Sequence, residues 1–336
     1  MTACAFAVPM ACYGVLMEFR MKRGMGKEDS GAGGLLKGLV RGDRASGSVV
    51  SLKPVPVDEI FEIEARTVGI GAAEADGLRR RYGEFIGRFV DGIMAEYGNA
   101  GTVELSSGRE ASLLAGIMNA FHGLGTSYGE RSRMIEAMGD GRFNCYSSSI
   151  LVSDAMVRLG VPVDIATMPN HVLPVALRHM IETTLEPRDA VLPISMLDTR
   201  YSLVRRVGVD GLLGIAWNNY GTALVEKGMV VPALKAYDRA LAMIPGHVGF
   251  LFNKGILLFD AGFTEDARRV YKELLRGDSP TVPPHAWQRI SMAMLMIGDI
   301  KGALNACAMA AEEEPGDRVA AGIRELLLAM VEENEQ

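Results

Sequence analysis

The sequence predicts an α+β domain followed by an all-α array of helical hairpins. Two observations carry this prediction. Three β-rich runs follow one long helical stretch within residues 145–185, and small and large apolar residues recur with a period of about 34 residues from position 214 onward. At 336 residues, 49% of them hydrophobic, the chain has enough apolar material for two folded units.

Residues 1–57 are predicted to be an apolar N-terminus followed by a flexible linker. Between Met1 and Met17 there is no charged side chain, and Arg20, Lys22 and Arg23 follow. A signal peptide carries its positive charges before the apolar run. Three interpretations stay open: a frayed or cleaved terminus, a marginal membrane anchor, or a gene start placed too early. We expect a cytoplasmic protein, with membrane association only through residues 1–17 as the alternative.

Residues 58–205 are predicted to form the α+β domain. Apolar residues at the helical period predict helices over 78–97 and 109–121. A third helix is expected over 145–159, with Asn144 as its N-cap and Gly160 as its stop. The β-rich runs that follow predict a small antiparallel sheet from residues 161–167, 172–177 and 180–185.

Composition excludes several functions. The formal charge is −6 and the pI about 5.5, which does not suit a nucleic-acid partner, because phosphate binding needs a concentrated positive surface. Cysteines stand at positions 4, 12, 145 and 307, without a CxxC pair or a close histidine. That spacing fits neither a zinc site nor a disulfide framework, so we expect no metal and no cofactor. Cys307 falls inside a helical repeat and is expected to be a small core residue.

Cys145 stands at the predicted start of a helix. There the helix dipole and the unpaired N–H groups stabilise a thiolate, and the same groups can stabilise an oxyanion when the thiolate attacks a carbonyl. The alternative is that Cys145 is a small buried residue at a helix start. The cysteine alone does not decide between them.

The segment after Cys145 resembles the transglutaminase-like superfamily. The helix is followed by Arg158-Leu159-Gly160-Val161-Pro162, then by a strand beginning His171-Val172, then by Glu182-Thr183-Thr184. In that family a helix headed by the nucleophilic cysteine precedes such a turn, a histidine strand and an acidic strand. The resemblance covers roughly residues 105–190 and implies a papain-type core.

The resemblance implies a catalytic triad. Cys145 would be the nucleophile, His171 its base, and Glu182 the group that orients the imidazole. Glu stands where the family more often has Asp. A turn at 178–179 would put Glu186 directly opposite His171, so Glu186 is kept as a substitute. No residue upstream of Cys145 clearly completes an oxyanion hole, which leaves an inactive version of the fold open.

The array from residue 214 resembles tetratricopeptide repeats. Hairpins are predicted over 214–247, 248–281 and 284–316, and a capping helix extends the array to 332. Small residues such as Gly221 and Ala233 should let paired helices approach closely. The matching positions are Trp217, Gly221, Ala233 and Tyr237 in the first hairpin, Leu251, Gly255, Ala267 and Tyr271 in the second, and Trp287, Ser291, Ala303 and Cys307 in the third.

In such arrays the first helix of each hairpin lines a concave groove that binds extended peptides or partner helices. The resemblance therefore predicts a protein or peptide partner. Asn219 and Asn253 share one repeat position, and replacing both with alanine should weaken capture at little cost in stability. The alternative is a solvated polar helix face. The predicted partner-binding residues are Asn218, Asn219, Phe252, Asn253, Gln288 and Arg289.

Two functions follow from the sequence. The first is a thiol enzyme acting on protein or peptide amides, by hydrolysis rather than transamidation, with the repeats recruiting the substrate. The second is a catalytically inactive platform that joins the repeats as a non-enzymatic assembly factor.

Overall fold

The computed structural model is a mixed helix-and-sheet protein with one five-stranded antiparallel sheet, in agreement with the predicted α+β class. It describes residues 52–97, 107–129, 133–168, 171–197, 201, 204–275, 284–313 and 318–334. The predicted N-terminal segment of residues 1–17 lies outside these ranges. Within them, no helix combines the length and the hydropathy needed to cross a membrane.

Four helices precede the cysteine in the part of the chain that the structure describes. Their bounds are α1 Val57–Val68, α2 Ala72–Tyr97, α3 Ser107–Gly123 and α4 Met134–Asp140. Helices α2 and α3 contain the two predicted segments and extend beyond them. Helix α1, which the sequence did not predict, ends at Gly69 with a φ of 77°, a conformation that glycine adopts without strain. Two short strands, β1 (Ser127–Tyr128) and β2 (Arg142–Phe143), pair in parallel before the cysteine helix.

Helix α5 (Cys145–Arg158) carries the cysteine at its first position. Beside it lies the sheet, with strand order β6-β5-β4-β3-β7. Strands β6 and β7, which form the two edges, were not predicted. The bounds are β3 Val163–Met168, β4 His171–Ala176, β5 His179–Ile181, β6 Val191–Pro193 and β7 Arg205–Val207.

The turn between β4 and β5 differs from the prediction by one residue. Ala176 pairs with His179, so the turn residues are Leu177 and Arg178, and Leu177 has a φ of 56°. If this register is continued, Thr184 rather than Glu186 lies opposite His171. Glu182 then falls two positions away, on the same face as His171, because side chains alternate along a strand.

The two faces of the sheet are covered differently. Ile165, Val172, Ala176 and Ile181 belong to the main apolar core, which includes α5. The opposite face carries a smaller cluster, in which Leu197 covers the alternate side chains Ala166, Met168, Leu173, Val175 and Met180. Leu197, which follows β6, therefore lies over the face on which His171 and Glu182 stand.

The second half of the described chain consists of paired helices. The bounds are α7 Gly211–Glu226 with α8 Val230–Met243, α9 Val248–Asp260 with α10 Thr264–Leu274, α11 Pro284–Met296 with α12 Ile300–Glu313, and a last helix α13 Arg318–Asn334. A Cβ added to Gly221 would lie 2.6 Å from the Tyr237 ring, and one added to Gly255 would lie 2.5 Å from the Tyr271 ring. The predicted close approach of paired helices at these glycines is confirmed. Cys307 is buried, as predicted.

The front domain and the first hairpin share one apolar core. Leu212 and Ile215 of α7 and Ile244 after α8 belong to the same cluster as the buried residues of α1 to α5. The predicted boundary near residue 214 therefore does not separate two cores. Lys53 and Asp210 form an ion pair of 3.3 Å at the start of this contact.

Candidate active site

The first turn of α5 is fixed by its own side chains. Asn144 Oδ1 accepts hydrogen bonds from the backbone N–H groups of Tyr146 at 3.0 Å and Ser147 at 3.1 Å. In return, the Ser147 hydroxyl accepts from the N–H of Asn144 at 3.0 Å, which completes a capping box. The predicted N-cap is confirmed, and it holds Cys145 at the first helical position.

Two further serines attach this helix to the sheet. The hydroxyls of Ser148 and Thr183 lie 2.6 Å apart, and Ser149 donates to the carbonyl of Val172 at 3.3 Å. Thr183 follows Glu182 and Val172 follows His171 in the chain. The helix that carries the cysteine is therefore tied to the backbone on which the histidine and the glutamate stand.

The structure brings the three residues of the predicted triad together. His171 Nε2 lies 2.7 Å from Oε2 of Glu182, and the Cys145 side chain lies close enough to the His171 ring to raise the pKa of the imidazole. Because Nε2 is engaged with the carboxylate, Nδ1 is the ring nitrogen left for the thiol. Cys145 and Glu182 are buried, whereas the His171 side chain keeps 22% of its surface exposed.

The electrostatic environment favours the charged forms of both His171 and Glu182. Burial opposes the imidazolium of His171, but the Glu182 carboxylate, its hydrogen bond to the ring and the nearby Cys145 side chain prevail and raise the pKa of His171 to about 10. Burial likewise opposes the Glu182 carboxylate. The positive His171 and the hydrogen bonds from His171, Thr184 and Tyr201 prevail and lower its pKa to about 2. At neutral pH the pair is therefore an imidazolium facing a carboxylate.

Every described contact of Glu182 supports the ionised form. Its Oε1 accepts from the Thr184 hydroxyl at 2.7 Å, and its Oε2 accepts from both His171 and the hydroxyl of Tyr201. The substitute acid, Glu186, instead precedes Pro187 at the start of the short helix α6 (Pro187–Ala190).

Sequence reasoning missed Tyr201. Its ring stacks on His171 with centroids 5.5 Å apart and planes at 29°, in addition to the hydrogen bond from its hydroxyl to Glu182. Tyr201 stands nineteen residues after Glu182, and neither periodicity nor a motif marks it.

One donor beside the cysteine has no described partner. The amide nitrogen Nδ2 of Asn144 is buried and makes no hydrogen bond among the described residues, although Oδ1 of the same amide accepts several. A buried donor without a partner costs free energy and calls for an explanation.

The predicted groove residues divide into two groups. Asn218 is only 4% exposed, and its Oδ1 accepts from Nδ2 of Asn253 at 3.0 Å. Phe252 is buried in the core of the later hairpins. A partner-facing role does not fit the positions of Asn218 and Phe252, because both side chains are buried. Partial exposure is kept by Asn219, Asn253, Gln288 and Arg289.

His247, outside the triad, is a buried histidine. It caps α9, and its ring stacks on Phe250 with centroids 3.9 Å apart. Burial, together with the charge of Arg205, lowers its pKa to about 4. His247 is therefore neutral at physiological pH and acts as a packing residue at the junction of the first two hairpins.

No protein-family model matches the sequence, and no curated protein matches it. The case for an active site therefore depends on the contacts described above.

Proposed function

We propose that this chain is a thiol enzyme that acts on protein or peptide amides through Cys145, His171 and Glu182. The observation that carries the proposal is that one imidazole ring is hydrogen-bonded to a buried carboxylate and lies near enough to the Cys145 thiol for the two to interact electrostatically. This is the arrangement of nucleophile, base and orienting group that acyl-transfer enzymes need. It agrees with the resemblance to the transglutaminase-like superfamily and its papain-type core.

In the first half-reaction the Cys145 sulfur attacks the carbonyl carbon of the amide. The thiol proton resides on His171, and the imidazolium gives it to the leaving nitrogen when the C–N bond breaks. The amine leaves and a thioester remains on Cys145. His171 then removes a proton from water, the resulting oxygen nucleophile attacks the thioester, and the thiol is restored with release of the acid. An amine in place of water would give transamidation.

Two donors are available for the oxyanion that forms during each attack. The backbone N–H of Cys145 lies in the first turn of α5, where helical N–H groups have no carbonyl partner within the helix. Nδ2 of Asn144 is the second, because it has no described partner. Loss of one such donor typically costs about 10²- to 10³-fold in rate.

The helical hairpins complete the proposal. Their paired helices and their close glycine–tyrosine contacts agree with a tetratricopeptide solenoid, whose usual task is to bind protein segments. We propose that this solenoid recruits the protein whose amide is the substrate. Asn219, Gln288 and Arg289 are the predicted groove residues whose positions fit this role best.

Acylation by an activated ester tests the catalytic part directly. The protein is mixed with p-nitrophenyl acetate, the nitrophenol burst is recorded, and the acetylated residue is located by mass spectrometry. We expect one equivalent of acetyl on Cys145, no burst from Cys145→Ser, and an unchanged burst from the matched control Cys307→Ser. Peptide amides with and without a fluorescent primary amine then separate hydrolysis from transamidation. Absence of acyl transfer to Cys145 would leave the inactive platform as the function.

A further inference from the structure

Tyr201 makes two contacts with the triad at once. Its hydroxyl donates to Oε2 of Glu182, and its ring lies against the ring of His171. Its backbone N–H bonds to the carbonyl of Leu197 at 3.0 Å, and Leu197 packs on the sheet face that carries His171 and Glu182. Leu197 and Tyr201 therefore lie on the same side of the sheet as His171 and Glu182.

The two hydrogen bonds to Glu182 meet on the same atom. Oε2 accepts from Nε2 of His171 and from the Tyr201 hydroxyl, while Oε1 accepts from Thr184. Two donors on one oxygen compete for its electron density, so each bond is weaker than it would be alone. The Tyr201 hydroxyl donates a hydrogen bond without bringing a positive charge, so the negative charge of the carboxylate is kept.

We infer that Tyr201 is a positioning residue that limits how strongly Glu182 holds the proton of His171. This inference rests on the proposed function, in which His171 must give a proton to the leaving amine. An imidazolium held too tightly by a buried carboxylate is a poor acid, since general acids work best when they release the proton near the working pH. The phenol hydroxyl weakens the hydrogen bond between Glu182 and His171. The phenol ring, stacked on the imidazole, holds it in the orientation that the reaction with the thiol requires.

Substitution of the hydroxyl separates this role from simple packing. Tyr201→Phe keeps the ring and removes the donor, so Glu182 should bind the imidazolium more strongly. We expect the pKa of His171, followed by NMR of its labelled imidazole, to rise by about 0.5 to 1 pH unit. For acyl transfer we expect kcat to fall about tenfold with KM unchanged, because His171 releases its proton less readily. Tyr201→Leu, which also removes the stacked ring, should lower kcat further.

Tyr237→Phe is the matched control, because it removes a buried phenol hydroxyl that bonds to Thr222 at 3.3 Å within the first hairpin. It should change neither the His171 titration nor kcat. A His171 pKa that falls or stays constant in Tyr201→Phe would overturn the inference, since a purely structural tyrosine would loosen the pair rather than tighten it. The NMR titration does not depend on turnover. A wild-type protein that is never acylated would therefore overturn the proposed function, while the titration still decides the role of Tyr201.

Discussion

His171 is the residue on which the proposed chemistry depends, since it is hydrogen-bonded to the Glu182 carboxylate and lies near the Cys145 thiol. Its raised pKa and the lowered pKa of Glu182 define a pH window. The ion pair stabilises the fold fully between the unfolded values, about 4.5 for the glutamate and 6.5 for the histidine. The His171 contribution is lost as the pH rises through about 10, and the Glu182 contribution as it falls through about 2.

Glu182→Gln removes the charge and keeps the size. We expect the pKa of His171 to fall toward its ordinary value, because the carboxylate is the main cause of the increase. Acyl transfer should fall by about 10²- to 10⁴-fold, since an amide no longer favours the imidazolium or its orientation. NMR titration and burst kinetics measure the two effects. Glu186→Gln is the control and should leave both unchanged; an equal loss in this variant would contradict the assignment of Glu182.

Part of the site was predictable at this scale, and part was not. Cys145, His171 and Glu182 stand at the start of a helix, the start of a strand and the end of a strand, which sequence patterns can locate. Tyr201 belongs to no such pattern, and its place at the site depends on tertiary contacts with residues such as Leu197 over the sheet. The turn was misplaced by one residue because Leu177 takes a positive φ without the glycine or asparagine that usually marks it.

Among the elements, the long helices and central strands were predicted best, because their apolar residues repeat. The edge strands β6 and β7 were missed. Each has three residues, β6 ends in Pro193, and β7 contains Arg205 and Arg206, none of which is typical of a strand pattern. Helix α1 was missed because the glycine- and proline-rich linker runs directly into it.

Helix α1 contributes an unusual contact to the front domain. Glu64, only 3% exposed, accepts a hydrogen bond from the N–H of Ile135 in the first turn of α4 at 2.8 Å. Burial raises its pKa to about 8, against the effect of this hydrogen bond. Between about pH 4.5 and 8, Glu64 therefore keeps its proton in the native state, whereas the unfolded chain has released it. The free energy of unfolding consequently falls as the pH rises through this range.

Glu64→Gln should remove this pH dependence, because glutamine keeps the acceptor and cannot ionise. Relative to wild type, we expect the variant to gain on the order of 3 kcal/mol in free energy of unfolding between about pH 4.5 and pH 9. Urea unfolding at both pH values measures it. Glu62→Gln, on the exposed side of the same helix, is the control. A Glu64→Gln effect of equal size at both pH values would show that Glu64 is charged in the native state.

The hydrogen bond between Asn253 and Asn218 changes what is expected of the groove. Asn253→Ala leaves Oδ1 of the buried Asn218 without its described donor, so we expect a loss of about 1 to 3 kcal/mol in free energy of unfolding. Asn219→Ala should cost less than about 0.5 kcal/mol. Thermal and urea unfolding compare the two. From the sequence alone, replacing both asparagines was predicted to cost little stability. Equal, small losses in the two variants would support that prediction.

At the scale of the whole molecule, the shared core is the main departure from the predicted organisation. Local patterns mark where a repeat begins but not what its outer face packs against. Here the face of the first hairpin is covered by the front domain. The array is thus anchored to the domain that carries the candidate site. This arrangement is what the proposed recruitment of a substrate protein requires.

Truncation tests this organisation. A chain of residues 52–210 lacks the first hairpin and exposes the apolar residues that Leu212, Ile215 and Ile244 cover, so we expect it to lose cooperative unfolding. A chain of residues 52–275 keeps the first two hairpins and should unfold cooperatively at a lower Tm. Circular dichroism on heating distinguishes them. Cooperative unfolding of the shorter chain would show that the front domain is independent.

The central claim is that His171 and Glu182 activate Cys145, and alkylation tests it most directly. Rates of modification by iodoacetamide are measured across pH for Cys145 and Cys307 in one protein, with Cys4 and Cys12 replaced by serine. Both thiols are buried, with 7% of Cys145 and 1% of Cys307 exposed, so the His171→Ala variant is needed to separate activation from access. We expect Cys145 to react at least about tenfold faster than Cys307 at about pH 6, where an ordinary thiol is protonated, and His171→Ala to abolish the difference. Equal, slow labelling of both cysteines, unchanged by His171→Ala, would contradict the account.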